Sequence, residues 1–489
     1  MNKAPTATQF PHYLKPIWLA GEILVCLVFS VILNSLCSFR LADSFCIGFL
    51  SFFVLFCTEL PYSLVRRKPQ LFLSPMPWFL LASGVYFGFG PLIYFFGNEE
   101  AVMYSQAVWH VTITDLYRVT FVNLTGVAIV FGVWAWRARP MIHVKNKALS
   151  QDAMASAIIV FYLIGLPPRC VMILADCGLL DFTLPGFVGW IANCTSAGLV
   201  FLTATAIRHG GVWWLSFGIL LVLDITSAAL TFSKMSILLA VIPCVFGYML
   251  YRPKVWALRL IPVFLALVYY ASSSFVTCTR DRLQDNSSIW SRMKIARSYF
   301  EKNVEPKSSD NNEDWWIRLN YANAQVFAMQ DYQTGTAGNS LMLALIAPVP
   351  RVLWPNKPKI ESGREFYKKM TGFESASFGI GYFSEAYWNG GWIAVIICSA
   401  AIGWIFGTVT LALAAEQSVG NIWILPIALL WVRSGARVDG WMHTELVGPG
   451  VFTLVLVGLL WYWVGSPADR SIRMRMRRSR RIPKGGDIS

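Results

Sequence analysis

Apolar runs long enough to cross a bilayer recur along the chain, separated by short polar segments. A hydrocarbon core takes about 20 residues of helix. By that measure the pattern predicts spans at 17–36, 41–60, 78–96, 119–136, 155–175, 187–207, 212–230, 235–251, 255–276, 392–414, 420–433 and 449–465. The expected fold is an all-α polytopic membrane protein with about twelve transmembrane helices. Residues 1–276 carry helices one to nine, 392–465 carry ten to twelve with a short loop at 433–448, and 466–489 form a basic tail. Residues 277–391 break the rhythm as one large hydrophilic loop. The first run, Ile17 to Leu36, is too long for a signal-peptide core and reads as an uncleaved anchor. Gly84 and Gly88, and Gly403 and Gly407, have the four-residue small spacing that lets helices approach closely.

Composition supports this reading. Hydrophobic residues make up 56% of the 489 and charged residues only 14%, where a soluble chain carries about one-quarter charged. The net charge of +14 would suit nucleic acid, but its distribution argues against that partner. Basic residues gather at alternate loops: Arg66, Arg67 and Lys68; Arg137, Arg139, Lys145 and Lys147; Arg208; Arg252, Lys254 and Arg259; then Arg473 to Arg481 in the tail. The intervening loops hold Glu99, Glu100, Asp115, Asp176 and Asp181. This alternation puts both termini in the cytoplasm and the large loop outside. No metal or redox framework is expected. The ten cysteines contain no C-x-x-C pair, most lie in apolar runs, and the five histidines are scattered. Signatures of phosphate-binding loops, zinc proteases and serine hydrolases are missing.

Two segments put cations where the charge rule would deplete them. The large loop carries Arg280 and Arg282 at the exit of the ninth helix, then Arg292, Lys294, Arg297, Arg318, Arg351, Lys357 and Lys359. The loop at 433–448 reads Arg433-Ser-Gly-Ala-Arg437-Val-Asp439-Gly-Trp-Met-His443-Thr-Glu445. Arg433 and Arg437 are four apart and share a face if the helix continues that far. Guanidinium forks bind phosphates and carboxylates through paired, charge-assisted hydrogen bonds. Within the spans, Asp224 stands out in Leu-Val-Leu-Asp-Ile-Thr. An intramembrane carboxylate marks a site or a pair, here with Lys234 or an outer arginine, and it orients the site or acts in it. Leu341 to Ala347 is apolar but too short to span. Pro348, Pro350, Pro355 and Pro358 stiffen the chain just beyond it into an interfacial or re-entrant segment.

Pro348-Val-Pro-Arg351-Val-Leu-Trp-Pro355-Asn-Lys357-Pro358 is followed by Gly363, Thr371-Gly372 and Gly381-Tyr-Phe-Ser-Glu385-Ala-Tyr387-Trp-Asn389-Gly-Gly391. With Arg433-Ser434-Gly435, this resembles the oligosaccharide repeat-unit polymerases, the Wzy-type enzymes of O-antigen and surface-polysaccharide synthesis. The resemblance implies a GT-C-like glycosyltransferase of the bacterial inner membrane, with the large loop in the periplasm. It implies undecaprenyl-pyrophosphate-linked glycans as substrates, the bilayer as milieu and a chain-length regulator as partner. It implies no cofactor. A departing pyrophosphate needs fixed cations, a role that falls to Arg280, Arg282, Arg351, Arg433 and Arg437, with Lys357 as auxiliary. An acceptor hydroxyl needs a base, with Glu385 first and Asp439, His443 and Glu445 behind it. Asp224 orients. An O-antigen-ligase-like transferase would use the same arginines. A transporter or flippase fits less well, because the halves show no repeat and the charges gather at one face.

Overall fold

Among the residues described by the computed structural model, seven helices are long and apolar enough to cross a membrane. The structure describes residues 40–107, 109–139, 151–176, 186–230, 232, 234–251, 255–280, 289–301, 314–349, 354, 356–357, 360–374, 377–418 and 421–464, with isolated positions between 21 and 32. Among these, every regular element is a helix. The chain builds α1 (Leu41–Arg67), α2 (Pro75–Phe96), α3 (Glu99–Ala107), α4 (Ile113–Arg137), α5 (Gln151–Asp176), α6 (Gly186–His209), α7 (Val212–Leu230), α8 (Lys234–Tyr251), α9 (Val255–Arg280) and α10 (Ile289–Glu301). There follow α11 (Ala322–Gln333), α12 (Ser340–Ile346), α13 (Ser362–Thr371), α14 (Tyr382–Ser418), α15 (Leu425–Ala436) and α16 (Gly448–Val464).

The seven spanning candidates lie in α1, α2, α4, α5, α6, α7 and α14. Of the other expected spans, α8, α9 and α15 contain shorter apolar helices, Ser236–Tyr251, Val263–Ser273 and Leu425–Ala436, and α16 has 17 residues. Most of the first expected span, 17–36, and the tail 466–489 lie outside the described residues.

Both small-residue spacings act in packing. A Cβ on Gly84 would stand 2.9 Å from Cys57 Cβ and one on Gly88 2.7 Å from Val54 Cγ2, so the pair seats α2 on α1. A Cβ on Gly403 would stand 2.5 Å from the Val130 carbonyl and one on Gly407 2.7 Å from Arg137 Cβ, which seats α14 on α4. The Gly84–Phe89 stretch of α2 widens into a π-helical turn beside this contact, a local unwinding common near functional sites.

Two departures from expectation decide where the site forms. The tenth expected span begins at 392, yet its helix begins at Tyr382. Tyr382 to Asn389 is a helical arm joined to the longer apolar part through a break at Gly390 and Gly391. Gly391 has φ 59°, and a Cβ there would stand 2.9 Å from the Tyr332 ring, so glycine is required for both conformation and space. The stretch expected as one large hydrophilic loop also contains a buried helix. Residues 322 to 329 of α11 are all buried. Their polar members are satisfied across the fold: Asn123 Nδ2 donates to Gln325 Oε1 at 3.1 Å, Gln325 to the Ile380 carbonyl at 3.3 Å, and Asn323 to the Ser105 carbonyl at 3.2 Å. Beneath α11 the Phe383 ring fills the notch left by Gly126 of α4.

Candidate functional site

The site is assembled where the N-terminal arm of α14 meets the turn after α15. A Cβ on Gly379 would stand 2.3 Å from the Asp439 carbonyl, and Gly381 has φ 77°. Those two glycines let the chains touch. Gly381 N–H then donates to the Asp439 carbonyl at 3.2 Å and Tyr382 N–H to the Val438 carbonyl at 3.1 Å. The Tyr382 hydroxyl reaches the Ser434 carbonyl at 3.0 Å and ties the arm to the end of α15.

One turn into the arm sits Glu385, which is fully buried. Its Oε2 accepts the Met442 backbone N–H at 2.6 Å and its Oε1 accepts the Ser340 hydroxyl at 2.8 Å. Asn389, four residues on, donates to Ser340 Oγ and to the Glu385 carbonyl, both at 2.8 Å, and accepts the Leu341 N–H at 3.1 Å. His443 Nδ1 lies 3.7 Å from Glu385 Oε1. The imidazole's other nitrogen, Nε2, is 3.4 Å from Ser362 Oγ at the start of α13. A single buried carboxylate therefore gathers α12, α14 and the 441–443 segment, with the His443 ring linking on to α13. Buried polar groups of this kind are costly unless satisfied.

Beside this knot lies a group of charges. Arg437 Nε is 3.5 Å from Asp439 Oδ1, and its Nη2 is 3.3 Å from Glu445 Oε1. The Tyr321 hydroxyl donates to Asp439 Oδ2 at 3.1 Å. Its ring meets Tyr86 edge-on at 5.5 Å and Phe378 at 5.7 Å. Arg433, one helical turn before Arg437, is partly buried and makes no hydrogen bond or ion pair with any described residue. It feels the charges of Glu445 and Arg437 at longer range. Burial pushes the Glu445 carboxyl above its ordinary range, and Arg437 and Arg433 oppose that rise only in part. Burial works against charge on Arg437, but Glu445 and Asp439 outweigh it and raise its pKa. Burial and the Asp439 carboxylate also hold the Tyr321 phenol well above its ordinary value.

Six residues expected from sequence thus converge here: Arg433, Arg437, Glu385, Asp439, His443 and Glu445. Asp224 does not. It sits on α7 in an ion pair with Arg169 of α5, Nη1 to Oδ1 at 2.8 Å. Arg169 also bonds Thr195 Oγ1 at 3.0 Å and Ser227 Oγ at 3.4 Å. The expected partner was Lys234 or an outer arginine; the partner found stands inside the Pro167-Pro168-Arg169 helix. Lys357 Nζ donates to the Ala347 and Val349 carbonyls, each at 2.9 Å, and so closes the turn after α12. Arg282 and Arg351 lie outside the described residues, as does the Arg280 side chain. Ser340, Ser362 and Tyr86 were not singled out from sequence. Only Asn389 carried a signal, its four-residue spacing from Glu385 on one helical face. Among the described residues no three His, Cys, Asp or Glu side chains stand close enough to hold a metal ion. No family model matches the chain, and no curated protein and no solved structure matches it either.

Proposed function

We propose that the chain is a membrane glycosyltransferase that joins undecaprenyl-pyrophosphate-linked oligosaccharide repeat units into a surface polysaccharide and releases undecaprenyl pyrophosphate. The observation that carries this reading is Arg433. A partly buried guanidinium that makes no ion pair with any described residue, one turn from Arg437, is a costly arrangement that an incoming anion relieves. Two forks on one helix end suit a diphosphate, whose leaving charge they would stabilise most strongly as the bond to the sugar breaks. The sequence motif from Pro348 to Gly391 supports a lipid-linked glycan as the bearer of that diphosphate, and the distribution of basic loops supports a site on the non-cytoplasmic side, within a protein of about twelve spans. Tyr86 and Tyr321 set two aromatic rings beside the charges.

In this reading Glu385 is a positioning residue. Its two oxygens are occupied and no part of it faces solvent, so the proton acceptor is sought among the less buried carboxylates of the same cluster.

The test is the surface-glycan profile of a deletion strain complemented with wild type, Arg433→Gln or Arg351→Ala. Collapse of a ladder to one repeat, restored by wild type and not by Arg433→Gln at equal protein level, is the expected result. A deletion strain with no repeat attached at all would move the assignment to a ligase, and an unchanged ladder would end both.

A further inference from the structure

The ion pairs around Arg437 are long. Its Nη2 stands 3.3 Å from Glu445 and its Nε 3.5 Å from Asp439, and Nε has no hydrogen-bond partner. Asp439 has a second hold, because its other oxygen accepts from Tyr321. Among the described residues Glu445 has no such second hold; its carboxylate, with only 12% of the side chain exposed, depends on Arg437 and the more distant Arg433. Any anion bound by Arg433 and Arg437 must compete with that carboxylate. Charge-assisted pairing to a phosphate is bidentate and stronger than a single contact at this distance.

We propose that Glu445 and a diphosphate are exchange partners for Arg437: the arriving anion takes the guanidinium, and the released carboxylate becomes the proton acceptor for the transfer reaction. This rests on reading the cluster as the diphosphate site. The step balances. The acceptor hydroxyl oxygen forms the new bond to the anomeric carbon, its proton passes to Glu445, and the carbon–oxygen bond to the diphosphate breaks with its electron pair on the leaving group. The exchange orders these events. In the empty site the base is masked by Arg437; only with the anion seated is it both free and next to negative charge, which makes it a better base.

Groups facing Glu445 from the packed elements are Arg433 of α15, Arg437, Asp439 and His443 of the following turn, and Tyr382 of α14. Of these His443 is an imidazole within the same cluster, so it is controlled by substitution. The experiment is inorganic pyrophosphate binding to the purified full-length protein in detergent, from pH 8 to pH 5, for wild type, Glu445→Gln, Arg433→Gln and His443→Gln. Glu445→Gln is expected to bind about tenfold more tightly than wild type at pH 8, on the scale of one charge pair. That gap should close as the pH falls, because a protonated Glu445 no longer holds Arg437. Ratios at one pH cancel the ligand's own titration. The pH trend should persist in His443→Gln, and Arg433→Gln should bind weakly throughout. Despite its tighter binding, Glu445→Gln should make polymer about 10²- to 10⁴-fold more slowly. Weaker or equal binding by Glu445→Gln, or a gap that does not close, overturns the exchange. If Glu445→Gln does not fold, wild type and His443→Gln are titrated with sulfate, and affinity independent of pH overturns it. Exchange without any polymer from wild type would instead refute the polymerase reading and leave the anion switch standing.

Discussion

Both carboxylate oxygens of Glu385 are taken, one by the Met442 N–H and one by Ser340, in a place with no solvent. That makes the side chain a structural hub whose loss exposes the energetics directly. Glu385→Ala would strand the Met442 N–H and the Ser340 hydroxyl, at about 1–3 kcal/mol for each buried donor. Glu385→Gln keeps an acceptor for one of them, so its melting temperature in detergent should fall between those of wild type and Glu385→Ala. Equal stability of all three would show that the hub is dispensable. A second carboxylate, Asp331, binds α11 to α13 and α14: Lys369 Nζ reaches its Oδ2 at 2.5 Å and Trp388 Nε1 at 2.6 Å. Burial alone would raise the Asp331 carboxyl, but hydrogen bonds from Lys369, Thr336 and Trp388 outweigh it and hold the value below the ordinary range. A group with a lowered folded pKa stabilises above its unfolded value, near about pH 4, and loses that contribution as pH falls through the folded value. Thermal stability should therefore drop below pH 4 in wild type by more than in Asp331→Asn, and parallel curves would count against the clasp.

At the scale of elements, the break in α14 is what brings Glu385 beneath the charged turn. Gly391 at φ 59° against Tyr332 leaves no room for a side chain. Gly391→Ala should cost about 1–3 kcal/mol in strain and displace the arm, so anion binding at Arg433 should weaken together with stability; a stable variant with normal binding would separate arm from site. The sequence made the apolar part of this helix legible, since 392–414 is an unbroken run, but not the arm. Tyr382 to Asn389 mixes polar and aromatic residues without a span's hydropathy, and nothing local says that the Gly-Gly pair is a bend between two helices. The same blindness applied to α11, where Asn323 and Gln325 look like solvent-facing loop residues and are in fact buried against Ser105, Asn123 and Ile380. Their partners lie far away in sequence, and pairing at such separation has no local signature. By contrast Arg433, Arg437, Asp439, His443 and Glu445 were legible as a group, because all fall within one short segment next to a span end.

Across the whole molecule, two buried charge clusters lie on different sets of helices, and the fold assigns them different work. The Arg433–Glu445 cluster contains a cation that makes no hydrogen bond or ion pair with any described residue, whereas Arg169 and Asp224 satisfy each other at 2.8 Å and Arg169 finds two further hydroxyls. Asp224 looked like a site residue because an intramembrane carboxylate is rare, and sequence could not reveal its mate 55 residues earlier in a helix that continues through two prolines. A self-sufficient pair that only holds α5, α6 and α7 together makes a definite double-mutant prediction. Arg169→Met or Asp224→Leu alone leaves an uncompensated charge and should destabilise by about 3–5 kcal/mol. The double substitution should recover most of that loss, because burying two apolar side chains costs nothing comparable. On the proposed function, polymer synthesis, normalised to folded protein, should be normal in the double variant. If the double variant is stable but makes no polymer, the pair belongs to the chemistry after all, and the active region extends from the Arg433 cluster into the α5–α7 bundle.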